Sequence, residues 1–199
     1  MVAAEAEFGE HGFSSGSLNV IARNANVSKG SLFQYFESKA DLCAYLSDVI
    51  SRRVRVSVEA RIAQLCWSED FFGSLRDICD FWMAYFASHP AELAFASAVT
   101  LEPDAETGAS VRATVNQHYI AVFRPLLLDA REGGQLAGDA DVDMFLAMMM
   151  LMLPHLAIAP SHPGLDGVLG LSENDPGGAQ KVVDRLITVL HAAFAPRNP

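Results

Sequence analysis

Five residues that start or stop helices, Gly12, Ser17, Asn26, Ser28 and Ser38, fall inside the first forty positions, and this crowding limits what the chain can fold into. The alanine-rich AAEAEFGEH predicts a helix that stops at Gly12, a residue suited to the left-handed conformation beyond a helix C-terminus. Ser17 caps a second helix in which Leu18, Ile21, Ala22 and Ala25 recur at helical spacing. Asn26 makes the next turn, because asparagine tolerates positive φ better than other non-glycine residues. Ser28 caps a third helix, SKGSLFQYF, and Ser38 a fourth, where S-K-A-D places an acid three residues after the serine. Elements this short bury little by themselves. They form a small module leaning on something larger.

That larger part is also helical. The fourth helix is expected to run from Ser38 to about Leu65, with Leu42, Tyr45, Leu46, Val49, Ile50 and Val54 along one stripe. FFGSLRDICDFWMAYFASHP predicts a helix ending before Pro90, and ELAFASAVTLE a short one ending near Pro103. TGASVRATVNQHYIAVFRPLLLDAREGG predicts a long helix, kinked at Pro125 and closed by Gly133 and Gly134. Asp141 opens a methionine-rich helix. A Pro/Gly-rich stretch, PSHPGLDGVLGLSENDPGG, separates it from a last helix, AQKVVDRLITVLHAAFA. Neither a strand nor an internal repeat is indicated, so the fold class is all-α.

With 51% hydrophobic and 19% charged residues in 199, the chain has one good core plus a small satellite, and disorder is excluded. The run MFLAMMMLMLPHLAIAP, residues 144–160, is interrupted by Pro154 and His155 and falls short of a bilayer span of roughly 20 residues, which predicts a buried helix and no membrane. Cys43, Cys66 and Cys79 are odd in number and form no C-x-x-C, so neither a disulfide framework nor a zinc knuckle is indicated. MVAAEAEFGEHGF carries three glutamates and no basic residue, the wrong chemistry for a signal peptide. The expected setting is cytoplasmic.

A net charge of −10 argues against nucleic acid until its distribution is considered. Residues 1–60 hold six basic and seven acidic side chains, a net of −1; residues 61–199 hold eight and seventeen, a net of −9. Two short helices joined by a tight turn, the second rich in small and hydrogen-bonding side chains, form the helix-turn-helix pattern that reads a DNA major groove. Leu32 and Phe36, four apart, share a face expected to pack on Ile21 and Ala25, which turns Ser31, Gln34 and Tyr35 outward. Gly30 and Ser31 allow close backbone approach to base edges, and Gln34 can pair bidentately with adenine. Lys29 and Lys39 sit in first turns of helices, where ammonium and orphan amides can meet phosphate; Ser17 and Tyr35 offer hydroxyls.

The stretch FGEHGFSSGSLNVIARNANVSKGSLFQYFESKADL closely resembles the N-terminal domain of the tetracycline-repressor (TetR) family, over roughly residues 8–42. The shared pattern is G-F, a Ser/Thr before helix two, I-A, A-x-V-S-K-G-S/T-L-Y-x-Y/H-F and S-K-x-x-L. The resemblance implies an all-helical homodimer: a DNA-binding module, 1–45, and a helical effector-binding and dimerisation domain, 46–199. It places Ser17, Lys29, Gly30, Ser31, Phe33, Gln34, Tyr35 and Lys39 at the family's DNA-contacting positions, with Leu32 and Phe36 in its core. Asn26 replaces the usual glycine and Phe33 the usual tyrosine. The first helix begins at the chain start, without the basic arm of many members.

In the C-terminal part, helices near 71–88, 107–132 and 142–159 carry more apolar and aromatic residues than one stripe each requires, as a ligand cavity would. Candidate effector contacts are Trp82, Tyr85, Phe86, His118, Tyr119, Phe123, Met148, Met152 and His155, with Phe95, Phe145 and Met149 beside them; aromatics and methionines predominate, which favours a largely apolar effector. Val183, Leu186, Ile187, Leu190 and Phe194 form a stripe on the last helix that the resemblance assigns to a dimer interface. GFSSG matches the serine-hydrolase elbow G-x-S-x-G but follows a polar helical segment rather than a strand, and the six histidines show no H-x-x-x-H spacing. No catalytic constellation, metal site or cofactor is expected. The sequence therefore reads as a ligand-responsive transcriptional repressor on a palindromic operator, or alternatively as a helical ligand-binding or adaptor dimer without operator binding.

Overall fold

The computed structural model describes residues 1–162, 164–171 and 177–197. Among these residues it contains helices and no strand. The helices are α1 (Val2–Ser15), α2 (Leu18–Asn24), α3 (Lys29–Leu32), α4 (Lys39–Ile62), α5 (Phe71–Ser88), α6 (Pro90–Leu101), α7 (Ala105–Glu132), α8 (Val142–Ile158) and α9 (Gly178–Phe194), with one 3₁₀ turn, Ala159–Ser161. They divide into two compact units: residues 1–54 with 89–118, and residues 55–88 with 119–199. The first unit is therefore larger than the expected 1–45 module, because α6 and the first half of α7 pack with it. Part of the Pro/Gly-rich connection, Pro163 and 172–176, lies outside the described residues.

In the first unit, Gly12 breaks α1 with φ 74° and ψ 170°, where a side chain would be strained. The break folds Phe13 back toward Phe8; both rings are fully buried, with centroids 5.4 Å apart. Gly16 is required by packing instead, since a Cβ there would lie 2.5 Å from the Phe8 ring. Phe95 of α6 meets Phe13 edge-on at 5.4 Å. Arg53 of α4 ties the same helices from outside, donating to Glu5 of α1 at 3.1 Å and to Glu92 of α6 at 2.9 Å.

Helix α4 buries Leu42, Leu46, Ile50 and Val54 as the periodicity predicts, while Tyr45 is exposed. Its start is capped from both sides: Ser38 Oγ accepts from Asp41 N–H at 3.1 Å, and Asp41 Oδ2 accepts from Glu37 N–H at 3.1 Å. Pro90 occupies the first turn of α6, where its missing N–H costs nothing. Asp141 caps α8 by accepting from Met144 N–H at 2.9 Å, and α7 runs continuously through Pro125 before Gly134 turns the chain at φ 75°.

The second unit packs α5 against α8 and α9 with the C-terminal half of α7. Phe145 is its hub, with ring centroids 6.0 Å from Phe71 and 4.6 Å from Phe194. Trp82 Nε1–H donates to the Leu153 carbonyl at 2.8 Å, satisfying its polar edge inside the core. By length and composition alone Val142–Ser161 is apolar enough to cross a membrane, but half of that stretch is buried inside the protein. Its outer side keeps Met144 and Leu151 in solvent, the latter 76% exposed.

Candidate functional site

The helix-turn-helix forms from the capping residues upward. Ser17 Oγ accepts from Val20 N–H at 3.5 Å, while Ser17 N–H donates to the buried Glu7 carboxylate at 2.8 Å. Asn26 turns the chain at φ 55°. Ser28 Oγ accepts from Ser31 N–H at 3.0 Å and lies 2.8 Å from Ser31 Oγ. The recognition element departs from expectation in length: α3 is a single turn, Lys29–Leu32, rather than extending to Phe36. Beyond it the bonds tighten, with Gln34 N–H donating to Ser31 O at 3.3 Å and Tyr35 N–H to Leu32 O at 3.1 Å. The aromatic run brings modest helix propensity and exposed side chains, so no packing enforces a regular helix there.

The division into inner and outer faces follows the spacing with two corrections, Ala25 and Ser31, the latter expected outward but half-buried. Ile21 and Ala22 are buried and Leu32 and Phe36 half-buried, but Ala25 is exposed, because it caps α2 instead of facing the core. Phe36 packs its ring 5.5 Å from Tyr45 of α4. Lys29, Gly30, Phe33, Gln34 and Tyr35 are exposed, Ser17, Ser31 and Lys39 half-buried. Tyr35 is 81% and Phe33 47% exposed, an unusual placement for large rings on so small a module. Two residues not singled out by motif are also exposed on the module: Asn19 and Arg23, four apart on α2. The burial of Ile21 and Ala22 between them is the signal that turns them outward.

The electrostatics of the module are set by which cations are already engaged. Arg52 pairs with Asp48, Arg53 with Glu5 and Glu92, and Arg55 with Glu59. Lys39 Nζ donates to the Ser14 carbonyl at 2.8 Å and lies 6.0 Å from the Phe8 ring. Lys29 Nζ lies 5.9 Å from the Phe33 ring. Among the described residues, Arg23, Lys29 and Lys39 have no carboxylate partner. Serine chemistry at GFSSG is ruled out by its surroundings: Ser14 Oγ donates to the Glu102 carboxylate, and helix α1, not a strand, precedes it. Burial pushes the Cys43 and Cys79 thiols up to about 12, so neither is a thiolate at neutral pH.

The effector candidates separate. Trp82, Tyr85, Phe86, Tyr119 and Phe123 are buried in the second unit and touch one another: Trp82 lies 4.9 Å from Phe86 and 5.5 Å from Tyr119, and Tyr119 stacks 6.4 Å from Phe123. Burial alone pushes the Tyr119 hydroxyl well above its ordinary range. Met148 and Met152 are half-buried on α8, and His155 Nε2 lies 3.0 Å from the Leu165 carbonyl. His118 belongs to the first unit, with Nε2 3.0 Å from Asp48 Oδ1 and Nδ1 buried without a partner. A cavity of about 10 Å³ is lined only by apolar residues, among them Trp67, Phe71 and Leu127; of the candidates it includes Phe123, Phe145 and Met149. It has room for about one water.

The stripe on α9 is directed inward. Val183 and Leu190 are fully buried and Phe194 nearly so, packed within their own unit, while Leu186 and Ile187 are half-buried. Val189, 58% exposed, marks the opposite side.

Residues 1–46 match the family model for bacterial regulatory proteins of the tetR family. No curated protein matches the chain at a significant level. Among solved structures it is similar to the fatty acid degradation regulator FadR from Bacillus halodurans, at 16% identity over 95% of this chain and 94% of that one, with a TM-score of 0.71. It is similar to the transcriptional regulator FadR from Bacillus subtilis in complex with stearoyl-CoA, at 14% identity, the same two coverages and a TM-score of 0.68. A TetR family transcriptional regulator from Chloroflexus aurantiacus gives 21% identity, 98% and 91% coverage and a TM-score of 0.63. At these identities the likeness shows the fold.

Proposed function

Since its N-terminal module belongs to the tetR family of bacterial regulatory proteins, we propose that this protein is a cytoplasmic, ligand-responsive transcriptional repressor that binds a palindromic operator as a homodimer. The observation that carries the reading is the outward surface of the module: Gly30 on the one-turn α3 and Gln34 and Tyr35 in the tight turns after it, with Lys29, Lys39 and Arg23 without carboxylate partners. Ser17, Ser31 and Phe33 complete the DNA-facing set. Gln34 reads a base edge; the cations hold the phosphate backbone. With Arg52, Arg53 and Arg55 engaged elsewhere, three cations per protomer give a dimer a salt slope of about −5.

The effector is a small, largely apolar molecule; the stearoyl-CoA bound by the Bacillus subtilis regulator of the same fold supports this only through its apolar acyl chain, since its coenzyme A part is large and charged. A cavity of about 10 Å³ is far below the ~300–1,000 Å³ of ligand sites. On this reading effector binding selects a state in which packed side chains of the second unit, Trp82, Tyr85, Phe86, Tyr119 and Phe123 with Met148, Met152 and His155, have moved apart. The dimer uses the outer sides of α8 and α9, Met144, Leu151 and Val189, with Leu186 and Ile187 at the margin; Val183, Leu190 and Phe194 support it from the core.

The test is binding to a duplex selected by this protein from a random pool. Lys29→Ala should weaken all duplexes alike and lower the salt slope by about one unit per protomer, whereas Gln34→Ala should relax preference at one base position, costing roughly 1–3 kcal/mol. Failure to select any duplex would favour the adaptor reading, which the near-neutral charge of the module also supports.

A further inference from the structure

The kinked end of α1 has no charged side chain between Gly12 and Gly16, yet a charge holds it. Because Gly12 interrupts the helix, the amides of Phe13 and Ser14 are not needed inside α1. Both donate to the same atom, Glu102 Oε2, at 3.1 Å each. Ser14 Oγ donates to Oε1 of the same carboxylate, and Asp104 N–H donates to that Oε1 at 3.0 Å. Glu102 follows the last residue of α6 and is 5% exposed, so its charge is balanced by these donors rather than by water. Its own carbonyl accepts from Arg112 Nη2 on α7 at 2.9 Å, and Arg112 Nε reaches the Val99 carbonyl at 3.4 Å.

The other side of Ser14 faces the DNA-binding surface. Its carbonyl accepts the Lys39 ammonium at 2.8 Å. Ser14 is thus held through N–H and Oγ by α6 and, through its carbonyl, itself holds a cation that the helix-turn-helix offers to phosphate. These bonds join Arg112 on α7, Glu102 at the end of α6, Ser14 and Lys39 at the start of α4. All four belong to the first unit.

We propose that Glu102 is a positioning residue for DNA binding: by gripping Ser14 it sets the carbonyl that aims Lys39, so that movement of α6 or α7 changes the reach of Lys39 to the phosphate backbone. Charge-assisted bonds of this kind operate over a narrow range of distance, so a displacement of about 1 Å at the end of α6 either drags Ser14 or releases it. The inference rests on the DNA-binding reading above and adds the residue that would transmit regulation to it.

A double-mutant cycle in the full-length protein tests this, using the duplex selected from a random pool. Lys39→Ala should weaken binding by about tenfold in the wild-type background at low salt, but by about twofold or less when Glu102 is already Gln. Equal factors in the two backgrounds would overturn the proposal, since a merely structural Glu102 would leave the contribution of Lys39 unchanged. Glu102→Gln keeps the shape but turns an NH₂ group toward donors, so the Phe13 and Ser14 amides should exchange with solvent at least about tenfold faster. Unchanged exchange would overturn it as well. Arg112→Gln, which loosens the grip without touching the carboxylate, should show the same coupling in weaker form and serves if Glu102→Gln does not fold. If no duplex is selected, the DNA-binding reading fails, while amide exchange at Ser14 still decides the grip.

Discussion

Burial and hydrogen bonding act on Glu102 in opposite directions. Burial favours the neutral acid, but donation from Ser14 Oγ and from the amides of Asp104, Ser14 and Phe13 favours the carboxylate and wins, holding its pKa below the ordinary value of 4.5. A folded-state pKa below the unfolded one means that the stabilisation is fully present above the unfolded value and is lost as pH falls through the folded one. Glu102→Gln should therefore be less stable than wild type at pH 7, by about 1.5–3 kcal/mol if one charged hydrogen bond is lost. The difference should shrink below pH ~4.5 as the wild-type carboxyl takes up its proton. Urea titrations of both proteins at pH 7 and at pH 3.5 check this; a constant difference would mean that the charge is not what holds the turn. Nothing in the sequence around Glu102 announces the role. Its partners lie 88 and 89 residues earlier, and only the packing of α6 on α1 brings them together.

At the scale of the element, caps and apolar spacing predicted the helices well, because these signals act within one or two turns. They predicted less well which side of a helix meets which neighbour. The α9 stripe is the instructive case: a periodic apolar face reports burial but not whether the covering surface is the same chain or another. Leu190 is fully buried in its own protomer, whereas Leu151 on α8 is 76% exposed. Leu190→Ala should cost about 2–5 kcal/mol of stability through the cavity it leaves. Leu151→Glu should leave the melting temperature of the protomer within a few degrees while dissociating the proposed dimer, since it would place a charge in the apolar seam proposed for α8 and α9. Light scattering and thermal unfolding of the two variants separate these effects; a dimer unchanged by Leu151→Glu would put the interface on another surface. The shortening of α3 has the same origin, since a helix of that size takes its length from packing, and its aromatic continuation is exposed.

For the whole molecule, α4 and α7 each contribute residues to both compact units. A regulator built this way obeys linkage: any compound that releases the selected duplex must itself bind more weakly to the protein–duplex complex, by the same factor, expected at about 5–150-fold. Calorimetric titration of such a compound into free and duplex-bound protein measures it, and identical affinities would exclude this mechanism. Much about this protein follows from the sequence alone: the all-helical class, the positive φ at Asn26, the serine caps and the outward face of Gln34 and Tyr35, though not of Ser31. All of these are decided by interactions between residues close in the chain or by the chemistry of single side chains. The extent of the first unit, the inward turn of Val183 and Leu190 and the grip of Glu102 on Ser14 were decided only by the tertiary structure. Each depends on which distant surfaces meet, and burial and long-range hydrogen bonding have no signature in local spacing.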